Sequence, residues 1–287
     1  MPIRGGTYRD MPIALATMHR KELALAKPFR RQLGAAIVVP PGIDTDTLGT
    51  FTGEIPRAGT IVETARAKAL LGMNATGLRR GLASEGSFGP HPYIPFVPRC
   101  TEVLFFIDQE NEVAFYESIT THRTNFQSFV CRAGDDISEF LAATGFPRHA
   151  IVVAPEPAVS GMPPVKGITS IDELEKAIAR EALVSPDRNV RLTTDMRAHF
   201  NPTRMAVIRA LGHRLANRLA TRCPQCKSPG FGIRAIVRGL PCGWCGAPTE
   251  LAFAKTIRCA ECRFESWTRL RYVLDTAEPG HCQYCNP

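Results

Sequence analysis

The 287-residue chain has no apolar run long enough to cross a membrane. Its longest, such as Val103–Ile107 and Ala150–Pro155, are strand-sized, whereas a spanning helix needs about 20 apolar residues. The opening MPIRGGTYRDMPIALATMHRKE has charges on both sides of an apolar stretch too short for a signal-peptide core. Internal repeats and low-complexity tracts are missing as well. Cysteine is scarce ahead of Cys223, where only Cys100 and Cys131 occur, and both read as ordinary half-buried thiols. Tryptophan occurs only twice, at Trp244 and Trp267. An apolar fraction of 44% places what is left among ordinary globular chains.

Against that scarcity, the stretch from Cys223 onward holds eight of the ten cysteines, in four Cys-x-x-Cys pairs: Cys223/Cys226, Cys242/Cys245, Cys259/Cys262 and Cys282/Cys285. Two intervening residues let both sulfurs face one tetrahedral ion, with backbone amides turned toward the thiolates. With no export signal, clustered thiols point to metal in a reducing cytoplasm, and no membrane association is expected. The expectation is two structural zinc ions, each closed by four thiolates with no position left for water. A disulfide-stapled module and an iron–sulfur cluster are the rivals. The intervals Lys227–Pro241 and Arg263–His281 fit consecutive zinc-ribbon spacing, although crossed pairing stays open.

The formal charge of +8 suggests nucleic acid until the thiolates are included. From Gly212 to Pro287 there are 11 Lys/Arg against 5 Asp/Glu, a balance of +6. Each zinc held by four thiolates carries about −2, which leaves that stretch near +2 and the chain near +4. Phosphate-backbone binding rests on many unpaired cations. The composition permits it without pointing to it. Trp244 and Trp267 sit near cysteines, where they are expected to fill a small metal core, with base stacking the other use.

Before the cysteines, strand and helix signals alternate. Strands are predicted at Pro12–Thr17, Ala35–Val39, Gly81–Ala83, Glu102–Ile107, Glu112–Glu117, Ala150–Ala154 and Val190–Thr194. Helices are predicted at Arg20–Leu33, Ile61–Asn74, Asp136–Ala143, Ile171–Leu183 and Pro202–Thr221, with a loop over Pro155–Gly167. The fold class is therefore α/β, a mixed sheet flanked by helices, followed by a double zinc ribbon. The expected organisation is an α/β domain over 1–200, a linking helix over 201–222 and the ribbons over 223–287.

Four polar segments at strand-to-helix junctions carry the candidate chemistry. Thr17, His19 and Lys21 stand where a first strand meets a helix whose amides favour anions. Asp44-Thr45-Asp46 through Glu54, then Arg57 and Glu63, brings four carboxylates close together in sequence, a density that suits magnesium. Ala83–Pro92, around Glu85, reads as a small-residue loop in which backbone could approach a ligand closely. Asp195–Arg204 carries Arg197 and Arg204, which could clamp phosphate or carboxylate, with Asn201 as helix cap. Each also has a structural reading as a capped helix, solvated turn, tight connection or salt bridge.

Nearly the whole chain resembles a bacterial family defined as a domain of unknown function. The segments that carry this are Ala16–Glu22, Asp44-Thr45-Asp46 with Gly49-Thr50-Phe51, Ala83–Pro92, Asp195–Met205 and the closing Cys282–Pro287. Residues 12–118 are also similar to the inosine-triphosphatase-like nucleotide pyrophosphatases, through Thr17-x-x-x-Lys21, Glu63-Thr64-Ala65-Arg66-Ala67-Lys68-Ala69 and Ser84-Glu85-Gly86-Ser87. That resemblance implies Glu63 as a magnesium ligand and Glu85 as a second acidic ligand or water-orienting base, with Thr17, Lys21 and Lys68 on phosphates. Met18, Thr64 and the single Glu85 depart from the pattern. The expected function is thus a divalent-metal-dependent hydrolase of a phosphorylated small molecule, with nucleotides among the candidates. The alternative is a non-catalytic zinc-ribbon module that binds nucleic acid or a protein partner.

Overall fold

The computed structural model describes residues 8–50, 55–57, 59–271 and 274–286. Residues 51–54, which include Phe51, Gly53 and Glu54 of the Thr/Gly-rich segment, and the final Pro287 lie outside the described residues. The chain divides into two compact units, residues 1–110 with 116–216 and residues 111–115 with 217–287. No helix among the described residues is long and apolar enough to cross a membrane.

The first unit begins with β1 (Pro12–Leu15), α1 (Glu22–Leu33), β2 (Ala36–Val38) and α2 (Ile61–Thr76). It continues with β3 (Arg80–Pro90), β4 (Pro98–Asp108) and β5 (Val113–Thr121), of which residues 113–115 are counted with the second unit. These strands form a five-stranded mixed sheet in the order β2-β1-β3-β4-β5. β1 runs parallel to both neighbours, and β3 pairs antiparallel with β4 along its full length. Helix α2 starts with a capping box, in which Thr60 and Glu63 satisfy each other's backbone amides, and it stops at Gly77 with φ 70°. Its Ala65, Ala69 and Met73 pack on Ala83, Val103, Phe105 and Ile107. Helix α1 also ends on a left-handed glycine, Gly34.

The expected short strand Gly81–Ala83 is in fact eleven residues long, so Ser84–Pro90 is strand and not loop. Its Gly and Ser content gave it the look of a turn, but the ladder to β4 fixes it as sheet. Gly86 has a packing reason to be glycine. A Cβ there would stand 2.6 Å from both Arg204 Nη2 and Glu102 Oε2.

A second sheet follows, from β6 (Ser128–Cys131), α3 (Ser138–Thr144), β7 (Ile151–Glu156), β8 (Val165–Ile168), α4 (Ile171–Val184) and β9 (Asn189–Thr194). Its four strands lie in the antiparallel order β6-β9-β7-β8. Leu174, Ala177, Ile178 and Ala182 of α4 bury against Ile151, Val153, Val190 and Leu192. β6 and β8 carried no clear sequence signal, and β8 begins inside the stretch expected to be loop. Helix α5 (Pro202–Ala220) is capped by Asn201, whose Oδ1 accepts the Arg204 amide at 2.9 Å. Its Gly212 lies close against Leu25 of α1, so these two helices pack together.

The second unit is built on β10 (Gly232–Arg238), β11 (Ala252–Arg258) and β12 (Glu265–Arg269), an antiparallel three-stranded sheet.

Candidate functional site

Two groups of four cysteines form in the second unit. One is Cys223, Cys226, Cys259 and Cys262, and the other is Cys242, Cys245, Cys282 and Cys285. Within each, the sulfurs lie within 4.8 Å of one another, with closest approaches of 3.6 to 3.9 Å. A tetrahedron with metal–sulfur bonds of about 2.3 Å has edges of about 3.8 Å, so both groups could hold a metal ion. The amides of Trp244 and Glu261 donate to the Cys242 and Cys259 sulfurs, each at 3.4 Å, as knuckle geometry requires.

The pairing is crossed, first with third and second with fourth, and not consecutive as the spacing suggested. Strand order explains it. The first pair precedes β10 and the third follows β11, and antiparallel pairing sets Gly232 opposite Arg258. The second pair lies between β10 and β11 and the fourth comes after β12, whose Arg269 faces Ala254 at the opposite end of the sheet. Seven-residue strands then separate the groups by about 20 Å. Trp244 and Trp267 do not fill the metal cores, being 79% and 69% exposed. Cys100 and Cys131 are buried and lie outside both cysteine groups, and burial, then the nearby Glu102, pushes the Cys100 thiol up to about 12.

In the first unit, a cavity opens where β1 stops. β1 pairs with β3 only at Gly81 and Leu82, so β3 runs on past its end. Glu85, Gly86, Ser87 and Phe88 become one wall of the cavity, and the turn from Ala16 to Lys21 becomes another. From β1 the chain reaches β2 on one side and later β3 on the other. This is the reversal of strand order at whose carboxyl ends α/β sheets bind ligands. The cavity holds about 260 Å³, and Lys21, Arg57, Lys68, Arg197 and Arg204 all line it. Among the described residues two carboxylates do so as well, Asp46 and Glu85.

Most of these charges are already engaged. Glu85 accepts from Arg57 Nη2 and Lys68 Nζ, each at 2.8 Å. Burial pushes its pKa up, but Lys68, Lys21 and Arg57 outweigh this and hold it below the ordinary range. Arg204 donates to both oxygens of the fully buried Glu102 at 3.1 Å, and also to the Met196 carbonyl. Arg197 forms a two-pronged pair with buried Asp195 and lies over the Phe200 ring. Lys21 differs from the rest. Its ammonium donates to the Ser84 carbonyl at 2.6 Å, and the residue is only 5% exposed. Among the described residues it forms no ion pair with a carboxylate. Burial, then the Arg204 charge, lowers its pKa to about 8. His19 stacks on His199 with ring centres 5.2 Å apart. Burial, then Lys21, depresses His19 to about 3, which keeps that ring neutral.

The structure thus brings Thr17, His19, Lys21, Lys68, Glu85, Arg197 and Arg204 together around one cavity. Glu63 is not among the residues that line it. Its side chain is exposed, and Oε2 accepts the Thr60 amide at 2.8 Å, the work of a helix cap. Glu102 was not expected at the site, and Arg57 was expected only as part of the polar segment that follows Glu54, with no role given to it. Glu102 left a trace, as the charge on the threshold of the apolar run Val103–Ile107, whereas Arg57 depends on a loop whose course sequence does not disclose.

Comparison with known proteins places residues 68–287 within one family, described as Domain of unknown function (DUF6671). No curated protein and no solved structure matches the chain. The matched segment includes all eight paired cysteines and, on the cavity side, Lys68, Glu85, Arg197 and Arg204. A match over more than half of its length makes the chain a member of the DUF6671 family.

Proposed function

We propose that the α/β unit recognises a phosphorylated small molecule in the cavity at the end of β1. Lys21 is the observation that carries this reading. A buried ammonium facing a cavity with no carboxylate partner among the described residues is costly unless an anion completes it. It stands at the start of α1, whose first turn has no side-chain cap, so the helix dipole favours the same negative charge. Thr17 adds a hydroxyl whose proton has no acceptor among the described residues.

The geometry supports recognition of phosphate more directly than its hydrolysis. In a divalent-metal hydrolase the carboxylates must be free to ligate. Glu63 is spent on its helix, and both oxygens of Glu85 are held by cations. A magnesium ion would have to rest on Asp46 and the ligand's own phosphate oxygens. In the second unit, all-thiolate coordination with no open position suits zinc in a structural role.

Calorimetric titration with inorganic phosphate, phosphate monoesters and nucleotides, with and without Mg²⁺, tests the main reading. Binding that is lost in Lys21→Met is the expected result. Absence of binding by any phosphate compound near millimolar concentration would remove it.

One observation favours a second reading, in which the metal-bearing unit docks a protein. Trp244, Trp267 and Tyr284 are exposed, the last by 70%. The unit carries ten Lys/Arg against six Asp/Glu, so two ions on four thiolates each would bring it to about zero charge. A unit with little net charge and exposed aromatics fits a protein partner better than a phosphate backbone. Salt-sensitive binding of a single-stranded oligonucleotide to the intact protein would refute that preference.

A further inference from the structure

The cavity's size and charge narrow the ligand further, given the phosphate-recognition reading on which this rests. We infer that the site takes the dianion of a short-chain sugar or polyol phosphate, directly and without a metal ion, in preference to a magnesium nucleoside triphosphate.

Size is the first argument. At about 260 Å³ the cavity falls below the roughly 300–1,000 Å³ of pockets that enclose drug-sized ligands. A phosphate group and a short carbon chain suit such a space, and a base, ribose and three phosphates do not. Nor do the described residues of the wall offer a slot for a base. Among the described residues Phe88 is the only aromatic carbocycle lining it, and the Arg204 guanidinium already lies 5.0 Å from that ring's centre.

Charge is the second argument. Arg204 is neutralised by Glu102 and Arg197 by Asp195. Arg57 and Lys68 share the single carboxylate of Glu85, and Lys21 has none among the described residues. Among the described residues the inner wall is therefore left with two uncompensated positive charges, the complement of a phosphomonoester dianion. Asp46, the other described carboxylate on the lining, approaches His19 at 3.9 Å and is more open to solvent. A divalent cation in the inner space would add its charge to that wall. It would also find Glu85 occupied and Glu102 and Asp195 sealed from solvent.

The third argument is hydroxyl recognition. Thr17, Thr45, Thr50 and Ser87 line the cavity. Thr17 and Thr50 accept backbone amides, yet none of the four hydroxyls donates to another described group. Donors of this kind, left open beside a phosphate site, match the hydroxyls of a sugar or polyol. Thr17 and Thr45 are buried, and leaving a buried donor unmatched discriminates strongly against ligands that lack hydroxyls, while Thr50 is partly buried and Ser87 is exposed at the rim.

The experiment is a calorimetric comparison of glycerol phosphate, ribose phosphate, inorganic phosphate and ATP on the full chain, in EDTA and in excess Mg²⁺. The sugar and polyol phosphates should bind in EDTA and change less than twofold on adding Mg²⁺. ATP with Mg²⁺ should bind at least tenfold more weakly. Thr45→Val with Ser87→Ala should weaken ribose phosphate at least fivefold and leave inorganic phosphate within twofold. Tighter binding of Mg²⁺–ATP, or an absolute need for Mg²⁺, overturns the inference and leaves phosphate recognition standing. Silence from every phosphate compound overturns both.

Discussion

Replacing Lys21 by Met should raise stability at neutral pH while abolishing phosphate binding. Burial and the neighbouring Arg204 lower Lys21 from 10.5 to about 8, which opposes the charged folded form by about 3 kcal/mol at pH 7. Met keeps the length and apolar stem and removes the charge. It also strands the Ser84 carbonyl, at a cost of about 1–3 kcal/mol. The net change should lie between zero and a gain of about 2 kcal/mol. Its pH dependence carries the sharper test. A lysine depressed in the folded state means that the unfolded chain binds more protons between about pH 8 and 10.5, so the parent gains stability as pH rises through that window. The advantage of Lys21→Met should therefore shrink with rising pH and vanish or reverse near the top of the window. Urea denaturation of both proteins at about pH 7 and about pH 10 measures this difference. A loss of more than about 2 kcal/mol at both pH values would show that Lys21 is a satisfied structural cation, and the argument for an awaited anion would fail.

Changing Cys223 and Cys226 to Ser should leave one metal ion per chain by elemental analysis, because the crossed pairing confines the damage to the group with Cys259 and Cys262. Thr60→Ala should cost about 1 kcal/mol in thermal or urea denaturation, through loss of the α2 cap, with phosphate affinity unchanged. Gly86→Ala should destabilise by about 1–3 kcal/mol, since its methyl would collide with the Arg204–Glu102 pair, and the same denaturation series reads it. Tryptophan emission of the native protein should be red-shifted and open to an aqueous quencher, because both indoles are exposed.

Local signals were legible in the sequence wherever the structure is local. The β1–α1 junction, the α2 helix with its terminal glycine, and the Asn201 cap follow from spacing and capping chemistry over a few residues. The eight clustered cysteines follow from the geometry of a two-residue turn. What sequence could not show depends on strand order. The crossed pairing exists because β11 runs back along β10, and no spacing rule contains that information. β3 looked like a Gly/Ser loop because its strand character is imposed by β4. Glu63 matched a motif for a metal ligand, yet three residues earlier stands Thr60, and the same carboxylate serves a capping box equally well. The cavity's polar residues were found separately, but the engagement of Arg204 by Glu102 and of Glu85 by Arg57 arises only once distant segments meet.

The crossed cysteines have a consequence for the integrity of the chain itself. One group spans residues 223 to 262 and the other 242 to 285, so the two ties overlap like links of a fastened chain. A break anywhere within β11 falls inside both spans, yet each side keeps two cysteines of each group. With metal bound, the severed halves would still be clasped at both ends of the sheet, and a protease nick there would leave no loose fragment until a chelator released it. The same overlap means that the stretch cannot be divided by a single cut into two self-sufficient metal modules.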